Sequence, residues 1–188
     1  MPHEKDRITS LDRVRSSRSL GQRSGLIASR TIELARKAKG LQLADDLEVV
    51  FPDRHLEAAV RGELKKPEGP ITRGDLKRLG ELAANCKGIE NLSGLEAAVN
   101  LIWLELHYNQ ISDISPLALL TNLNELQLTH NQISDVSPLV LLTNLTELSL
   151  GDNQISDISP MASLTKLTTL QLGNNKISDI SLLAQCTN

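Results

Sequence analysis

Residues 101–122 read LIWLELHYNQISDISPLALLTN, 123–144 read LNELQLTHNQISDVSPLVLLTN, 145–166 read LTELSLGDNQISDISPMASLTK and 167–188 read LTTLQLGNNKISDISLLAQCTN. A period of 22 outranks any local pattern, because it identifies one supersecondary unit used several times over. Leu104, Leu126, Leu148 and Leu170 form one column, and Leu106, Leu128, Leu150 and Leu172 a second. Asn109, Asn131, Asn153 and Asn175 form a third, and Ile111, Ile133, Ile155 and Ile177 a fourth. A coiled coil would need period seven and would not tolerate Pro116, Pro138 and Pro160. No stretch reaches 18 consecutive apolar residues, so a membrane span is not expected.

LxLxxN describes a short strand with inward leucines followed by a tight bend. One unit cannot bury that face alone, so units stack and their strands pair in parallel. The Asn column is expected inside the bend, with its side-chain amide satisfying loop backbone that has no other partner. Asp113, Asp135, Asp157 and Asp179 resemble turn residues capping a short helical segment before proline.

Stepping back by 22 finds a worn unit, Leu79–Asn100. Leu79, Leu82, Ile89, Leu92 and Leu95 keep their columns, but Lys87 replaces the asparagine and Gly94 the proline. Terminal repeats are atypical where one side meets a cap. Upstream, Leu47–Phe51 reads as an extended piece ended by Pro52. Asp53 is placed to N-cap a helix to about Leu64, and Thr72 with Asp75 makes an acidic capping box for a second helix. The expected division is 1–45 as a basic Ser/Arg-rich tail with a short helix at 26–39, 46–78 as a helical cap, and 79–188 as repeats.

The composition agrees with a stacked core. Hydrophobic residues make up 40% of the 188 and aromatics only 2%, while 35 are leucine, 21 of them beyond residue 100. The net charge of −3 conceals a gradient from a +6 segment at 1–40 to a −6 segment at 101–188. The basic tail has no aromatic residue for base stacking and reads as a solvated arm in preference to a nucleic-acid reader. Cys86 and Cys186 lie far apart with no metal-ligand or CxxC spacing, so neither a disulfide framework nor a zinc site is expected. The start contains no apolar run of signal-peptide length, which points to the cytoplasm for the chain as written. A cell-surface or secreted location is the expectation if the true start or full-length chain differs.

The unit NxIxDIxPLxxLTN resembles the leucine-rich repeats of the bacterial internalin family. Phe51-Pro52-Asp53, followed by Leu56, Ala59, Val60 and Thr72–Leu79, resembles its helical N-terminal cap, and Asn85–Leu95 (NCKGIENLSGL) its first repeat. The resemblance covers residues 49–188 and implies an α/β fold: a right-handed leucine-rich-repeat solenoid with a short parallel sheet on its concave face and a small helical cap. Regulatory subunits of type-1 phosphatase share the 22-residue class but match less well at the cap.

Between the scaffold columns lie variable positions expected on the concave face. These are Trp103, Glu125, Glu147, Thr169; then Glu105, Gln127, Ser149, Gln171; then His107, Thr129, Gly151, Gly173; then Tyr108, His130, Asp152, Asn174. The only Trp and only Tyr fall in one repeat, which marks them as an anchor patch; the competing reading packs Trp103 against the cap or first repeat. The expected partner-binding set is Trp103, Glu105, His107, Tyr108, Glu125, Gln127, His130, Glu147 and Asp152. His107, His130 and Asp152 step along adjacent repeats, yet without a visible supporting shell they are not assigned as metal ligands or catalysts.

The expected function is therefore a non-enzymatic interaction module, without cofactor, binding a protein or peptide on the concave face, with a basic partner as the electrostatic complement. One alternative is a regulatory subunit or truncated fragment of a larger signalling protein, phosphatase-regulator-like. A further one is a metal-dependent hydrolase using the His/Asp cluster. Self-association through the uncapped C-terminal repeat is also expected, since Leu170, Leu172 and Ile177 would otherwise line an open core.

Overall fold

The structure, a computed structural model, describes residues 44–179. The expected helix at 26–39 and the closing residues of the fourth repeat lie outside the described residues. The chain divides into two units, Met1–Ala44 and Asp45–Asn188, and the second carries everything discussed below.

Its leading segment is extended because it adds to the cap by main-chain bonds. Glu48 bridges Thr72 in antiparallel fashion, Val49 N–H donates to Ile71 O at 2.8 Å, and Arg73 N–H donates to Leu47 O at 2.9 Å. Helix α1 spans Arg54–Leu64, with Leu56 and Val60 fully buried. Asp53 N-caps it, its Oδ1 accepting from His55 N–H at 2.8 Å and Leu56 N–H at 3.1 Å. Helix α2 is one turn, Arg73–Leu76, opened by a full capping box. Thr72 Oγ1 accepts from Asp75 N–H at 3.2 Å, and Asp75 Oδ2 accepts from Thr72 N–H at 2.9 Å.

Each repeat then contributes a three-residue strand, and in the first four, among the described residues, a short 3-10 turn follows the bend. The strands are β1 (Glu81–Ala83), β2 (Trp103–Glu105), β3 (Glu125–Gln127), β4 (Glu147–Ser149) and β5 (Thr169–Gln171), in parallel order β1-β2-β3-β4-β5. Register follows the 22-residue period, with Leu82, Leu104, Leu126, Leu148 and Leu170 aligned across the sheet. The 3-10 turns Ser115–Leu117, Ser137–Leu141 and Ser159–Ser163 each begin at Ser-Pro, where proline's fixed φ suits a first turn. The leucine and isoleucine columns from Leu79 to Leu164 are buried to within 2% of complete, so one core runs the length of the stack. At roughly 1.5–3 kcal/mol per buried leucine or isoleucine, these columns are the main favourable term. In the last described repeat Leu167, Leu170, Leu172 and Ile177 are only partly buried.

The asparagine column holds the bends together. Asn131 Nδ2 donates to the carbonyls of Leu106 and Leu128, both at 3.0 Å, and its Oδ1 accepts from Ile111 N–H at 3.0 Å. Asn109 repeats the pattern one unit before, and Asn153 and Asn175 one and two units after. Each amide thus bonds its own repeat and the preceding one, which is why the residue is invariant among the four units. The aspartates act one step differently from the expectation. Asp113, Asp135 and Asp157 each accept from the N–H of the serine two residues on, at 2.8 Å, while the residue flanking the 3-10 turn is Ile114, Val136 or Ile158 with no side-chain cap. They close an Asx-type turn ahead of the helix instead of capping it.

Gly94 has a definite cause in the worn repeat. Its φ is +99°, and a β-carbon there would lie 2.9 Å from two ring carbons of Phe51. Cap and first repeat are joined at that contact. They are joined again by Asp53, whose Oδ2 accepts from Glu90 N–H at 2.8 Å and Asn91 N–H at 3.1 Å. Partial burial pushes the Asp53 carboxyl upward, but its four backbone donors outweigh this and hold it below the ordinary carboxylate value.

Candidate partner-binding face

Strand alternation decides what this face presents. Because Leu82, Leu104, Leu126, Leu148 and Leu170 point into the core or toward it, the residues on either side of each point away from it. Register places Glu81, Trp103, Glu125, Glu147 and Thr169 side by side, one per strand, at about 4.8 Å spacing. Two residues on, Ala83, Glu105, Gln127, Ser149 and Gln171 make a second row. Trp103, Glu105, Glu125, Gln127 and Glu147 are half-buried. Trp103 is therefore neither sunk in the core nor fully free, and its neighbours across the sheet are the carboxylates of Glu81 and Glu125.

The carboxylates of the two rows differ in how they are held. Asn85 Nδ2 donates to Glu105 Oε2 at 2.6 Å, tying that side chain to the first repeat. Glu81, Glu125 and Glu147 make no side-chain hydrogen bond or ion pair among the described residues, and Glu125 and Glu147 are directly opposed in register. Like charges in that relation destabilise a sheet. The two lysines of the regular repeats lie elsewhere, Lys166 donating to Asn144 and Lys176 to Gln154.

His107 is half-buried just past β2, its backbone N–H donating to Asn85 Oδ1 at 2.8 Å. Tyr108, His130, Asp152 and Asn174 lie one position further along, in the bend itself. With Cys86 they share a left-handed backbone, φ between 53° and 56°. This column forms a continuous side-chain ladder. The rings of Tyr108 and His130 stack with centroids 4.2 Å apart and planes at 17°, His130 Nε2 lies 3.4 Å from Asp152 Oδ2, and Asn174 Nδ2 donates to Asp152 Oδ1 at 2.8 Å. Tyr108 is 59% exposed, so one face of the stack is open.

The structure thus brings His130 and Asp152 together but leaves His107 in a different column. Among the described residues no three His, Cys, Asp or Glu side chains gather as a metal site. No helix among them is long and apolar enough to cross a membrane. Two features were not anticipated from sequence. A polar cleft of about 510 Å³ opens on the loop side, lined by Glu90, Asn91, Gln110, Asp113 and Gln132, and none of these belongs to the strand rows. An apolar groove of about 460 Å³ lies where the cap meets the 3-10 turns, lined in part by Val50, Val99 and Leu119, which are 73%, 36% and 62% exposed. The signal that could have found the second is the 22-residue spacing of Leu119 and Leu141, which the structure leaves exposed.

The Leucine Rich repeats (2 copies) family matches residues 99–140 and 143–185. Comparison with curated protein sequences finds no match. Among solved structures, an internalin (InlF) of Listeria monocytogenes is 30% identical with a TM-score of 0.65, over 75% of this chain and 50% of that one. The chain therefore spans about half the length of that relative. Internalin C2 of the same organism is 34% identical over 73% of this chain and 81% of its own, with a TM-score of 0.40. A leucine-rich-repeat protein of Leptospira interrogans is 28% identical with a TM-score of 0.58, over 64% of this chain and 32% of that one. Repeat proteins of this kind serve in general as protein-interaction modules. With its 22-residue period and its helical cap tied to the first repeat through Asp53 and Gly94, the chain is an internalin-like leucine-rich-repeat protein.

Proposed function

We propose that the chain is a non-enzymatic module that binds a protein or peptide on the sheet face, through Trp103, Glu105, Glu125, Gln127 and Glu147, with His107, Tyr108, His130 and Asp152 along the adjoining bends. One observation carries this reading. The row Trp103, Glu125, Glu147 occupies the middle of the sheet outside the leucine core, and sets a partly exposed ring beside two carboxylates that have no partner among the described residues and oppose each other in register. Surfaces that retain such groups against stability are characteristic of binding sites. The sign of the charge favours a basic partner, and the ring supplies the large rigid contact that dominates interface energetics.

The test begins with peptides selected from a random library against the full chain. These should be enriched in Arg and Lys. Trp103→Ala should weaken their binding about tenfold, the loss typical of one anchor residue, proportionally much more than it lowers the urea midpoint. Leu119→Ser, in the apolar groove, should alter neither. Equal losses of binding and stability in Trp103→Ala would refute the reading. So would peptides that survive Trp103→Ala and are lost with Leu119→Ser, which would move the site to the groove.

A further inference from the structure

The extended segment that leads into the cap is paired along one edge only. Its bonds run from Val49 N–H to Ile71 O and from Arg73 N–H to Leu47 O, so Glu48 and Thr72 form the non-hydrogen-bonded pair of an antiparallel bridge. In such a pair the main-chain groups of Glu48 point away from Thr72, to the opposite edge. There Glu48 N–H, Glu48 C=O and Val50 N–H have no hydrogen-bond partner among the described residues. Glu48 and Val50 are both exposed, so this edge stands open. An open edge is a template for another chain. Pro52, which cannot extend the ladder, keeps it short enough for a single added segment.

The apolar groove between cap and 3-10 turns lies along the same segment, with Glu48, Val49 and Val50 in one wall. Val50 O comes within 3.1 Å of the place a β-carbon on Gly94 would take, so the open edge faces the first repeat. That side supplies the other wall: Gly94, the 3-10 turn Leu95–Ala97, Val99 and Leu119. Four charged side chains stand around the groove. Lys77 is engaged by Asp45, and Glu96 accepts from Gly94 N–H at 2.7 Å. Glu48 and Arg73 are exposed and have no side-chain partner among the described residues, leaving one free charge of each sign.

We propose that the groove receives an extended segment of a partner protein as an added strand along Glu48–Val50. Its apolar side chains lie on Val50, Val99 and Leu119, and an acid and a base among the others meet Arg73 and Glu48. Main-chain bonds give this mode its affinity, and pockets for alternate side chains give it selectivity. Two independent features converge on it: a donor and an acceptor on one residue at the spacing of a strand, and an apolar trough beside them. A helical ligand would fill the trough and leave the edge unused. A second copy of this chain is the poorer occupant, because pairing two copies about Glu48 sets like charges directly opposite each other. The site is distinct from the sheet face, and its occupant is balanced in charge where the sheet face calls for a basic one.

The probe is the capped peptide Thr-Val-Lys-Val-Glu-Val-Thr, in which valines alternate with one charge of each sign, titrated into the isotope-labelled full chain. Saturable amide shifts are expected at residues 48–50, 97–99 and 119, with hydrogen exchange at Glu48 N–H slowed about tenfold or more. Glu48→Pro and Leu119→Arg should each weaken binding about fivefold or more. The proline removes an N–H that the fold leaves unpaired, and Leu119→Arg, at an exposed side chain, checks the result without touching the backbone. Methylating the peptide's amides along one edge should abolish binding, while methylating those of the other edge should be tolerated. Trp103→Ala should change nothing, which separates this site from the sheet face. No saturable binding, groove shifts without slower exchange at Glu48, or the same response to both methylated peptides would overturn the proposal. Shifts on the sheet face that vanish with Trp103→Ala would overturn it and leave the sheet-face reading standing. Self-association of the full chain that Leu119→Arg abolishes would give the groove to a second copy, and would overturn it as well.

Discussion

Replacing Asn131 with alanine isolates what the bend asparagines contribute. Asn131 is 9% exposed, and its side chain makes three well-formed bonds: one accepted from Ile111 N–H and two donated to Leu106 O and Leu128 O, all at 3.0 Å. The losses are unequal. Leu106 O keeps a bond from Asn109 Nδ2 and Leu128 O keeps one from Asn153 Nδ2, both at 3.0 Å. Ile111 N–H, on a residue with no solvent exposure, keeps nothing. An orphaned buried donor costs about 1–3 kcal/mol and each additional lost bond about 0.5–1.5 kcal/mol, so Asn131→Ala should destabilise by roughly 3–4 kcal/mol. Urea unfolding followed by circular dichroism measures this, with an unchanged slope confirming that the same cooperative unit unfolds. Gln132→Ala, one residue away and exposed, should stay within about 0.5 kcal/mol of wild type. Asn131→Asp retains the acceptor but turns a charged oxygen toward two carbonyls, and should be no better than alanine. A loss below about 1 kcal/mol in Asn131→Ala would mean that water or a shifted backbone satisfies Ile111, and the asparagine column would no longer explain the bend.

Two further outcomes follow from the cap. Asp75 is 6% exposed and paired with Lys66 at 2.6 Å and Arg78 at 2.7 Å. Burial pushes its carboxyl up, but the bonds from Lys66 and Thr72 prevail and bring it to about 2. A folded value below the unfolded one means stability that is complete above pH 4 and lost as pH falls toward 2, amounting to about 2 kcal/mol. Asp75→Asn should flatten stability against pH in that window, and an unaltered slope would refute the assignment. Gly94→Ala forces a β-carbon against the Phe51 ring at positive φ and should cost about 2–4 kcal/mol. Phe51→Leu in the same chain should recover part of that loss, since it removes the clash and leaves the strain; strictly additive losses in urea melts would show that the two residues do not meet.

What could be read in the sequence was whatever the repeat displays more than once. The asparagine column stood out because four copies share a residue whose donors and acceptor suit a bend, and the bonds found are of that kind. Contacts made only once have no such internal comparison. Nothing in the sequence links Asp53 to Glu90 and Asn91, 37 and 38 residues away, or Gly94 to the Phe51 ring. The left-handed column is the instructive intermediate case. Cys86, Tyr108, His130, Asp152 and Asn174 share one backbone conformation but no chemistry, and only the last two are residues that adopt it readily. Strained backbone at Tyr108 and His130 would, in isolation, suggest a functional site. Here it does not, because all five positions carry it and the repeat imposes it through the neighbouring asparagine bonds. What the column leaves free is the side chain. The case for function along this edge therefore rests on the stacked Tyr108 and His130 rings and their approach to Asp152, and not on the conformation that holds them.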